Sequence, residues 1–406
     1  MPSTFGWIDF AEQDRRKMAD MINRFRERDT RDELGLGSVR DAFANLLFPG
    51  TSTIQTRAKY MLFVPWIYLE HEKQQTSSQD IGRKARNDEL NLIEALLDSS
   101  DTEGVIGKDA RRKLQRIPSS IYWSGLGTWG IRLFDGSRAQ YHRYLDVFYR
   151  RRKEQIRQLK YDGEPVAAWT SENWDPGLPK SPDSFPRQVS LTLARQEAEY
   201  LHDRIVTNCG QSLLAFLVDR TAPTEVSFVW MHPELARFPQ RLRLQVEHAR
   251  NFSEVMHSAA LLYNLMLSEK SRRKDEATEY GNRLVEWSHS IQSRKAQLTR
   301  WDRQDFWGTV VSQGARVPPR TRGFIDRWIN LVLESEDMAA LSTDDMARSL
   351  IYDRELALKH NRARLHNQRA LELWSGAAGA GQLDYRWNAV VNRVVNDILL
   401  GMENHA

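Results

Sequence analysis

The chain has 406 residues, of which 41% are hydrophobic and 28% charged, as is typical of a globular protein with two or three units. Its 58 basic and 54 acidic residues leave a net charge of only +4, so the overall charge does not by itself indicate a nucleic-acid partner. One cysteine excludes an internal disulfide, and there is neither a signal-peptide pattern nor an apolar run of membrane-spanning length, so we expect a cytoplasmic protein without membrane contact.

The N-terminal region, residues 1–75, contains several predicted helices. Helical periodicity first occurs over residues 9–28. Ser38 and Asp41 can begin a second helix, which ends at Pro49-Gly50. Ser52 and Gln55 have the spacing of a capping box and predict that a third helix begins there, and Pro65 ends or kinks that helix.

The predicted start of the third helix is also a candidate anion site. Hydroxyl and amide groups lie beside the predicted helix N-terminus, and a cation follows one to two turns later. This combination favours the binding of a phosphate. The residues are Thr51, Ser52, Thr53, Gln55 and Arg57. The alternative, which we favour, is that Ser52 only caps the helix. In that case Arg57 pairs with one of three nearby acids, Asp32, Glu33 or Asp41.

Residues 80–160 have the order of a winged-helix-like unit followed by a basic helix. A first helix covers residues 87–97, a short basic helix carries Arg111, Arg112, Lys113 and Arg116, and a third helix begins at Pro118. Residues 131–134 can then extend as a short arm. The alternative, which we favour, is an ordinary helical subdomain whose aromatic residues form a core.

The helix predicted over residues 138–160 has the clearest charge pattern in the chain. Two rows with seven-residue spacing lie side by side on a helix: Arg143, Arg150 and Arg157, and Asp146, Lys153 and Lys160. The apolar residues fall on the opposite face: Tyr141, Leu145, Phe148, Ile156 and Leu159. With Arg138, Arg151 and Arg152 the helix has eight basic residues against two acidic ones, which predicts a DNA-backbone contact. A solvated face or a docking site for an acidic protein is the alternative.

Residues 161–190 are rich in proline, glycine and tryptophan and are predicted to be a connector, followed by a C-terminal helical domain over 191–406. The predicted helices of that domain cover 191–206, 212–217, 239–270, 273–301, 323–333, 342–374 and 383–400. The fold class is therefore mainly α and multi-helical.

No catalytic signature is complete in this sequence. The glycines at 104 and 107 lack the remainder of a phosphate-binding loop, there is no G-x-S-x-G or H-E-x-x-H motif, and His248 and His257 are badly spaced for one metal ion. Cys209 is expected to be a buried structural thiol. We predict no cofactor and no metal site, and the catalytic residues, if there are any, stay unknown.

The chain resembles an uncharacterised bacterial family, a domain of unknown function, along nearly its full length. The resemblance rests on Gly6-Trp7-Ile8-Asp9-Phe10, the Thr30–Gly37 turn, Arg40-Asp41-Ala42-Phe43, residues 47–60, Tyr122-Trp123-Ser124-Gly125-Leu126 with Trp129-Gly130-Ile131, and Leu383-Asp384-Tyr385-Arg386-Trp387. It implies a gene context among helicases, nucleases and anti-phage systems, and it supplies no catalytic residue.

Three hypotheses follow. The first is a non-catalytic subunit of a bacterial defence or DNA-processing complex, which contacts DNA through the basic helix and residues 111–132, and a helicase or nuclease partner through exposed aromatic residues. The second is an adaptor without nucleic-acid contact. The third is an unrecognised nuclease or hydrolase centred on residues 30–57, with a carboxylate cluster of Asp32, Glu33 and Asp41.

Overall fold

A computed structural model describes residues 32–161 and 171–404. Fourteen α-helices lie in these residues: α1 Gly37–Leu47, α2 Tyr60–Lys73, α3 Ile81–Leu97, α4 Pro118–Thr128, α5 Arg138–Tyr161, α6 Arg195–Cys209, α7 Leu213–Arg220, α8 Gln240–Lys270, α9 Lys274–Thr299, α10 Arg303–Ser312, α11 Pro319–Glu334, α12 Asp345–Lys359, α13 Gln368–Glu372 and α14 Asn392–Glu403. The described residues contain no β-strand, only an isolated bridge between Arg132 and Trp174. The prediction of a mainly α, multi-helical fold is confirmed.

The chain divides into two compact units, each built from two separate segments. The first unit comprises Met1–Ala42 and Glu247–Leu383, and the second comprises Phe43–Val246 and Asp384–Ala406. The predicted connector at 161–190 lies inside the second unit. Its described part, residues 171–190, contains no helix, and Trp174 is buried as expected of a residue that fixes a connector to the surface below.

The core of the second unit is built around α2. Eleven of its fourteen residues are buried, as expected for a helix that is apolar on all sides and therefore surrounded by other elements. α4 packs against it, with the rings of Tyr60 and Tyr122 5.3 Å apart. Pro65 lies within the helix and does not end it, so the prediction that it ends or kinks this helix holds at most as a kink.

The core of the first unit surrounds the part of α8 that follows Glu247. Trp328 on α11 donates from Nε1 to the hydroxyl of Ser258 at 3.1 Å, and Phe252 stacks on Phe306 of α10 with ring centroids 5.5 Å apart. These contacts join large aromatic side chains to a helix whose small residues leave room for them.

The helices predicted to begin at Ser52 and to cover 342–374 are wrong, and another predicted helix lies outside the described residues. No helix begins at Ser52, since the backbone turns through residues 51–59 and α2 begins at Tyr60. The single helix predicted over 342–374 is instead α12 and α13, separated at His360, which has a φ of 50°. The helix predicted over 9–28 lies outside the described residues.

Candidate functional site

The N-terminal half of α5 is fixed to the second unit by aromatic packing. Tyr141, Leu145 and Phe148 are buried, which confirms the predicted apolar face of this half. Tyr141 lies between two tryptophans, with ring centroids 5.3 Å from Trp123 and 5.9 Å from Trp174. The helix therefore has a fixed orientation, and its opposite face points to solvent.

A buried carboxylate strengthens this attachment. Glu72 on α2 is 1% exposed and accepts hydrogen bonds from the Tyr141 hydroxyl, from Ser171 Oγ at 2.6 Å, from Asn173 Nδ2 at 2.9 Å and from Trp174 Nε1 at 3.1 Å. Burial raises the pKa of Glu72, and these neutral donors act against that rise. One side chain thus joins α2, α5 and the connector.

The predicted cationic residues of α5 point to solvent. Arg143, Arg150, Arg151, Lys153 and Arg157 are exposed. In the described part of the chain we find no carboxylate within ion-pair distance of any of them. Arg150 donates from Nε to the backbone oxygen of Asp146 at 3.4 Å, and the guanidinium of Arg151 contacts the Tyr144 hydroxyl, so both are oriented locally without losing their charge. We call this set of five residues the cationic stripe.

Three other residues of the predicted stripe have different surroundings. Arg138 is half-buried and donates from a guanidinium nitrogen to Ser119 Oγ at 2.6 Å, so it belongs to the interior of the unit. Asp146 is half-buried and accepts from Ser78, from the backbone N–H at 3.0 Å and from the hydroxyl. The side chain of Lys160 is outside the described residues.

The C-terminal half of α5 has little packing. None of the described side chains from Arg150 to Tyr161 is buried, and Tyr161 is 92% exposed. Ile156 and Leu159 are only partly covered, so the predicted apolar face does not dock over its full length. Charged side chains are the main feature of this helical segment.

Residues 111–113 do not form the predicted short α-helix. They form a three-residue 3-10 turn, because the chain turns on both sides of it at Gly107 and Leu114. Arg111 pairs with Glu94 at 2.8 Å and Arg112 donates to Asn91 Oδ1 at 3.2 Å, and all three basic residues are exposed. The apolar residues of α4, predicted to be core in the favoured alternative, are buried: Tyr122, Trp123 and Leu126.

Arg57, the cation predicted for the candidate anion site, does not face that site. Arg57 turns away to two carboxylates, with Nε 3.0 Å from Asp397 and a terminal nitrogen 2.6 Å from Asp101. The predicted pairing with Asp32, Glu33 or Asp41 is therefore wrong. Burial acts against the charge of Arg57, but the hydrogen bonds that its guanidinium donates to Asp397 and Asp101 outweigh that effect and leave the pKa of Arg57 raised.

The hydroxyl and amide groups of that candidate site are partly brought together. The Ser52 N–H donates to Gln55 Oε1 at 3.1 Å, which is one half of the predicted capping box formed without a helix. Thr51, Ser52 and Gln55 line a polar cleft, whereas Thr53 is exposed beside it. Arg386, which sequence patterns gave no reason to include, donates to Thr51 O at 2.7 Å and to Asn45 Oδ1 at 2.9 Å.

Each of the carboxylates proposed for a hydrolase is engaged by other groups of the chain. Asp32 accepts the N–H groups of Leu36 and Gly37 and so serves the start of α1. Asp41 pairs with Arg40 at 3.0 Å, and Glu33 is buried against Lys359 and Arg364. In residues 32–161 and 171–404, no group of three or more His, Cys, Asp or Glu side chains is arranged to hold a metal ion.

The remaining candidate nucleophile and bases are structural. Burial raises the pKa of the Cys209 thiol to about 11, so the thiol stays protonated. His248 accepts from Trp301 Nε1 at 2.8 Å and its other nitrogen is 3.0 Å from Asp305, while His257 contacts the Ala380 carbonyl oxygen at 3.3 Å. Each histidine is thus fixed by its neighbours.

Exposed aromatic residues were expected to contact a protein partner. Every tryptophan in the described residues is buried, and among the exposed large hydrophobic residues found there Tyr161 is the aromatic one. The tryptophans of the described residues therefore belong to the cores of the two units.

Comparison with known proteins gives one match. The sequence model of a family described as "Family of unknown function (DUF6361)" matches residues 2–399. No curated protein and no solved structure matches the chain. Within the described residues, no helix combines the length and the apolar character needed to cross a membrane.

Proposed function

We propose that this chain, which belongs to the family of unknown function DUF6361, is a non-catalytic subunit that binds the phosphate backbone of DNA through the cationic stripe of α5. The observation that supports the proposal is the exposure of five basic side chains on one helix without described acidic partners. Charged faces of ordinary surface helices usually balance in sign, so a face on which five exposed basic side chains accompany one exposed acid, Glu154, favours a polyanion.

The spacing of the stripe fits an extended ligand. Arg143 and Arg157 are fourteen residues apart, which corresponds to about 21 Å along a helix at 1.5 Å per residue. Duplex DNA carries one phosphate per about 3.4 Å of each strand, so several phosphates lie within this length. Long, flexible Arg and Lys side chains can reach them, and each contact releases a bound counterion.

The contact is expected to be with the backbone and not with bases. Arginine and lysine contacts to phosphates fix position and affinity but carry no sequence information directly. We therefore propose weak sequence preference and strong salt dependence. With four phosphates neutralised, the logarithm of the association constant should fall against the logarithm of salt concentration with a slope of about −3.6.

The biological setting is part of the proposal and rests on the family resemblance. A backbone-binding subunit would hold DNA for an enzyme that acts on it, and a helicase or nuclease of an anti-phage defence complex is the partner we propose. DNA binding through the cationic stripe does not require the protein partner. The DNA contact and the partner contact can therefore be tested separately.

The test is a charge reversal of the stripe in the full chain. Arg143, Arg150 and Arg157 are changed to Glu, and binding to a labelled 20-base-pair duplex is measured by fluorescence anisotropy at several NaCl concentrations. We expect an affinity at least tenfold lower at about 0.1 M salt and a loss of about 2.7 from the slope, since three contacts are removed.

A matched control has the same change in net charge away from the stripe. Arg195, Arg220 and Arg237 are exposed arginines of the same unit and are likewise changed to Glu. This variant should bind almost as the wild type does. Equal losses in both variants, or no loss in the stripe variant, would contradict the proposal, as would retention of an acidic protein partner by a chain that binds no DNA.

A further inference from the structure

We propose that the polar cleft of the second unit binds a small, neutral, polyhydroxyl ligand, the size of a monosaccharide or a nucleoside. The cleft lies between residues 45–55 and one face of α4, and its volume is about 290 Å³. Ile121, Ser124, Gly125 and Thr128 line it with the i, i+3, i+4, i+7 spacing of a single helix face. This site is separate from the cationic stripe and does not depend on the proposed DNA binding.

Two glycines allow the two walls of the cleft to meet at its floor. A Cβ atom on Gly125 would lie 2.3 Å from the backbone oxygen of Gly50, and a Cβ on Gly50 would lie 2.3 Å from Trp129 Nε1. Gly50 also has a φ of +80°, a conformation that L residues with side chains rarely adopt. The backbones of the turn and of α4 therefore touch directly, and the polar side chains stand around that contact.

Hydrogen bonds hold the walls in place. Gln55 donates from Nε2 to Gly50 O at 3.1 Å and accepts the Ser52 N–H, so it closes the turn on itself. The Thr51 hydroxyl donates to Phe48 O at 2.7 Å. A site whose walls are fixed in this way needs little ordering when a ligand binds.

Arg386 supports the same walls from a strained backbone. It donates to Asn45 Oδ1 and Thr51 O, and both Tyr385 and Arg386 have positive φ values, of 54° and 72°. Successive non-glycine residues in this conformation are costly and occur where surrounding structure demands a particular side-chain position. Three distant segments, 45–55, 121–128 and 385–386, thus meet around one cleft.

The groups that face the ligand are hydroxyls and an amide. Asn45 accepts from Arg386 through Oδ1, which leaves its Nδ2 as a donor, and Ser124 and Thr128 are exposed on α4. Ser52 Oγ is shielded from solvent and has no hydrogen-bond partner among the described residues. Buried polar atoms without partners are rare in native proteins, and one at the wall of a cleft indicates a missing polar partner.

The charge of the lining decides the class of ligand. No residue found to line the cleft in the described chain is charged. Arg386 lies behind the lining and donates to Asn45 and Thr51, and Arg57 is engaged by Asp397 and Asp101. A phosphate dianion would enter without a lining cation, whereas sugar hydroxyls can both donate to and accept from the neutral hydroxyl and amide groups of the lining. The volume is at the small end of ligand sites, about 300–1,000 Å³, which suits a single ring with its hydroxyls.

The test uses the full chain and four probes. Binding of D-glucose, D-ribose and adenosine is measured by saturation-transfer-difference NMR, and binding of inorganic phosphate by phosphorus line width. We expect saturation transfer to ring protons of at least one of the three neutral probes. Transfer to adenosine and ribose alone would assign a nucleoside, and transfer to glucose alone would assign a carbohydrate.

Two variants locate the binding. Thr128→Leu fills the cleft from an exposed position and should reduce the signal at least fivefold. Ser120→Leu changes an exposed serine of the same helix that does not line the cleft and should leave the signal unchanged. No transfer to any neutral probe, an undiminished signal in Thr128→Leu, or binding of phosphate alone would overturn the inference.

Discussion

The carboxylate of Asp146 accepts hydrogen bonds from the backbone N–H of Ser78, at 3.0 Å, and from the hydroxyl of the same serine. Asp146 is the acidic residue within the two rows of basic side chains on α5. The carboxylate points toward the segment before α3, so its negative charge lies at the edge of the basic face. Its neighbours Arg143 and Arg150 are exposed to solvent. The contact also fixes the rotation of α5 about its own axis.

Removing the charge of Asp146 should strengthen the proposed DNA contact. In Asp146→Asn we expect an affinity for duplex DNA roughly two- to threefold higher at low salt, because one repulsive charge next to the backbone is lost. Fluorescence anisotropy measures this change.

Ser78→Ala is the control, since it removes the hydroxyl that donates to Asp146 and keeps the charge of Asp146. It should leave the affinity unchanged and lower the free energy of unfolding by about 1 kcal/mol. Identical DNA affinity in Asp146→Asn and wild type would count against the stripe as the binding surface.

Breaking the ion pair of Arg57 and Asp397 should destabilise the second unit strongly. Both side chains are about one-tenth exposed, and Asp397 also accepts the Ala58 N–H at 2.9 Å. Truncating Arg57 to Ala leaves a buried carboxylate without its partner, so we expect a loss of about 3–5 kcal/mol in the free energy of unfolding, measured by urea denaturation.

The control for this prediction is an exposed pair of the same unit. Arg195 and Glu199 are about half exposed and one helical turn apart, so Arg195→Ala should cost about 0.5 kcal/mol or less. A loss of similar size at Arg57 would show that the Asp397 pair is no more important than a surface ion pair.

These contacts also show what the sequence could predict and what it could not. The face pattern of α5 depends on neighbours three and four residues apart, so periodicity located the buried residues of its N-terminal half and the five exposed cations of the stripe, but not the half-buried Arg138. The partner of Arg57 is 340 residues away along the chain, and no local pattern indicates it. The capping-box spacing at Ser52 and Gln55 correctly predicted a hydrogen bond between these residues, but this bond closes a turn and does not begin a helix.

The break after α12 has a similar cause. The carboxylate of Glu355 accepts the N–H groups of Arg364 at 2.9 Å and Leu365 at 2.8 Å, which a continuous helix would bond to its own carbonyl groups. Charge and periodicity over 342–374 favour one continuous helix, but the buried carboxylate of Glu355 binds these backbone N–H groups and the helix is interrupted. The polar cleft could not be predicted as a whole, since its walls come from two distant segments, residues 45–55 and 121–128, that meet only in the folded chain.

The pH dependence of stability should report on Glu89. This residue is 0% exposed, accepts the Ser119 N–H at 2.6 Å, and has Arg86 and Arg138 as the nearest cations. Burial raises the pKa of Glu89 to about 7, above its value in the unfolded chain. The folded state therefore holds this proton more tightly, and the stabilisation is complete below about pH 4.5 and lost as pH rises through 7.

The measurement is urea unfolding of wild type and Glu89→Gln at pH 5 and pH 8. From pH 5 to pH 8 the wild type should lose up to about 3 kcal/mol more than the variant, because the glutamine has no proton to release. All other titrating groups are common to both proteins, so the difference isolates Glu89. Parallel pH profiles would show that this carboxyl group titrates as in water.

Glu72 should be the residue on which the attachment of both α5 and the connector depends. Its two oxygens accept four hydrogen bonds from neutral donors, among them Tyr141 and Trp174. In Glu72→Gln one oxygen becomes an NH₂ group that faces donors, so at least one donor is left without an acceptor. We expect a loss of about 2–4 kcal/mol in the free energy of unfolding. The amides of residues 171–175 should exchange with solvent faster than in the wild type.

Glu70→Gln is the control for this prediction, because Glu70 lies on the same helix with a side chain that is 57% exposed. It should change neither the free energy of unfolding nor the amide exchange. If the two variants behaved alike, the connector would be held by its aromatic packing alone, and the orientation of α5 that we propose for DNA binding would not depend on the buried carboxylate.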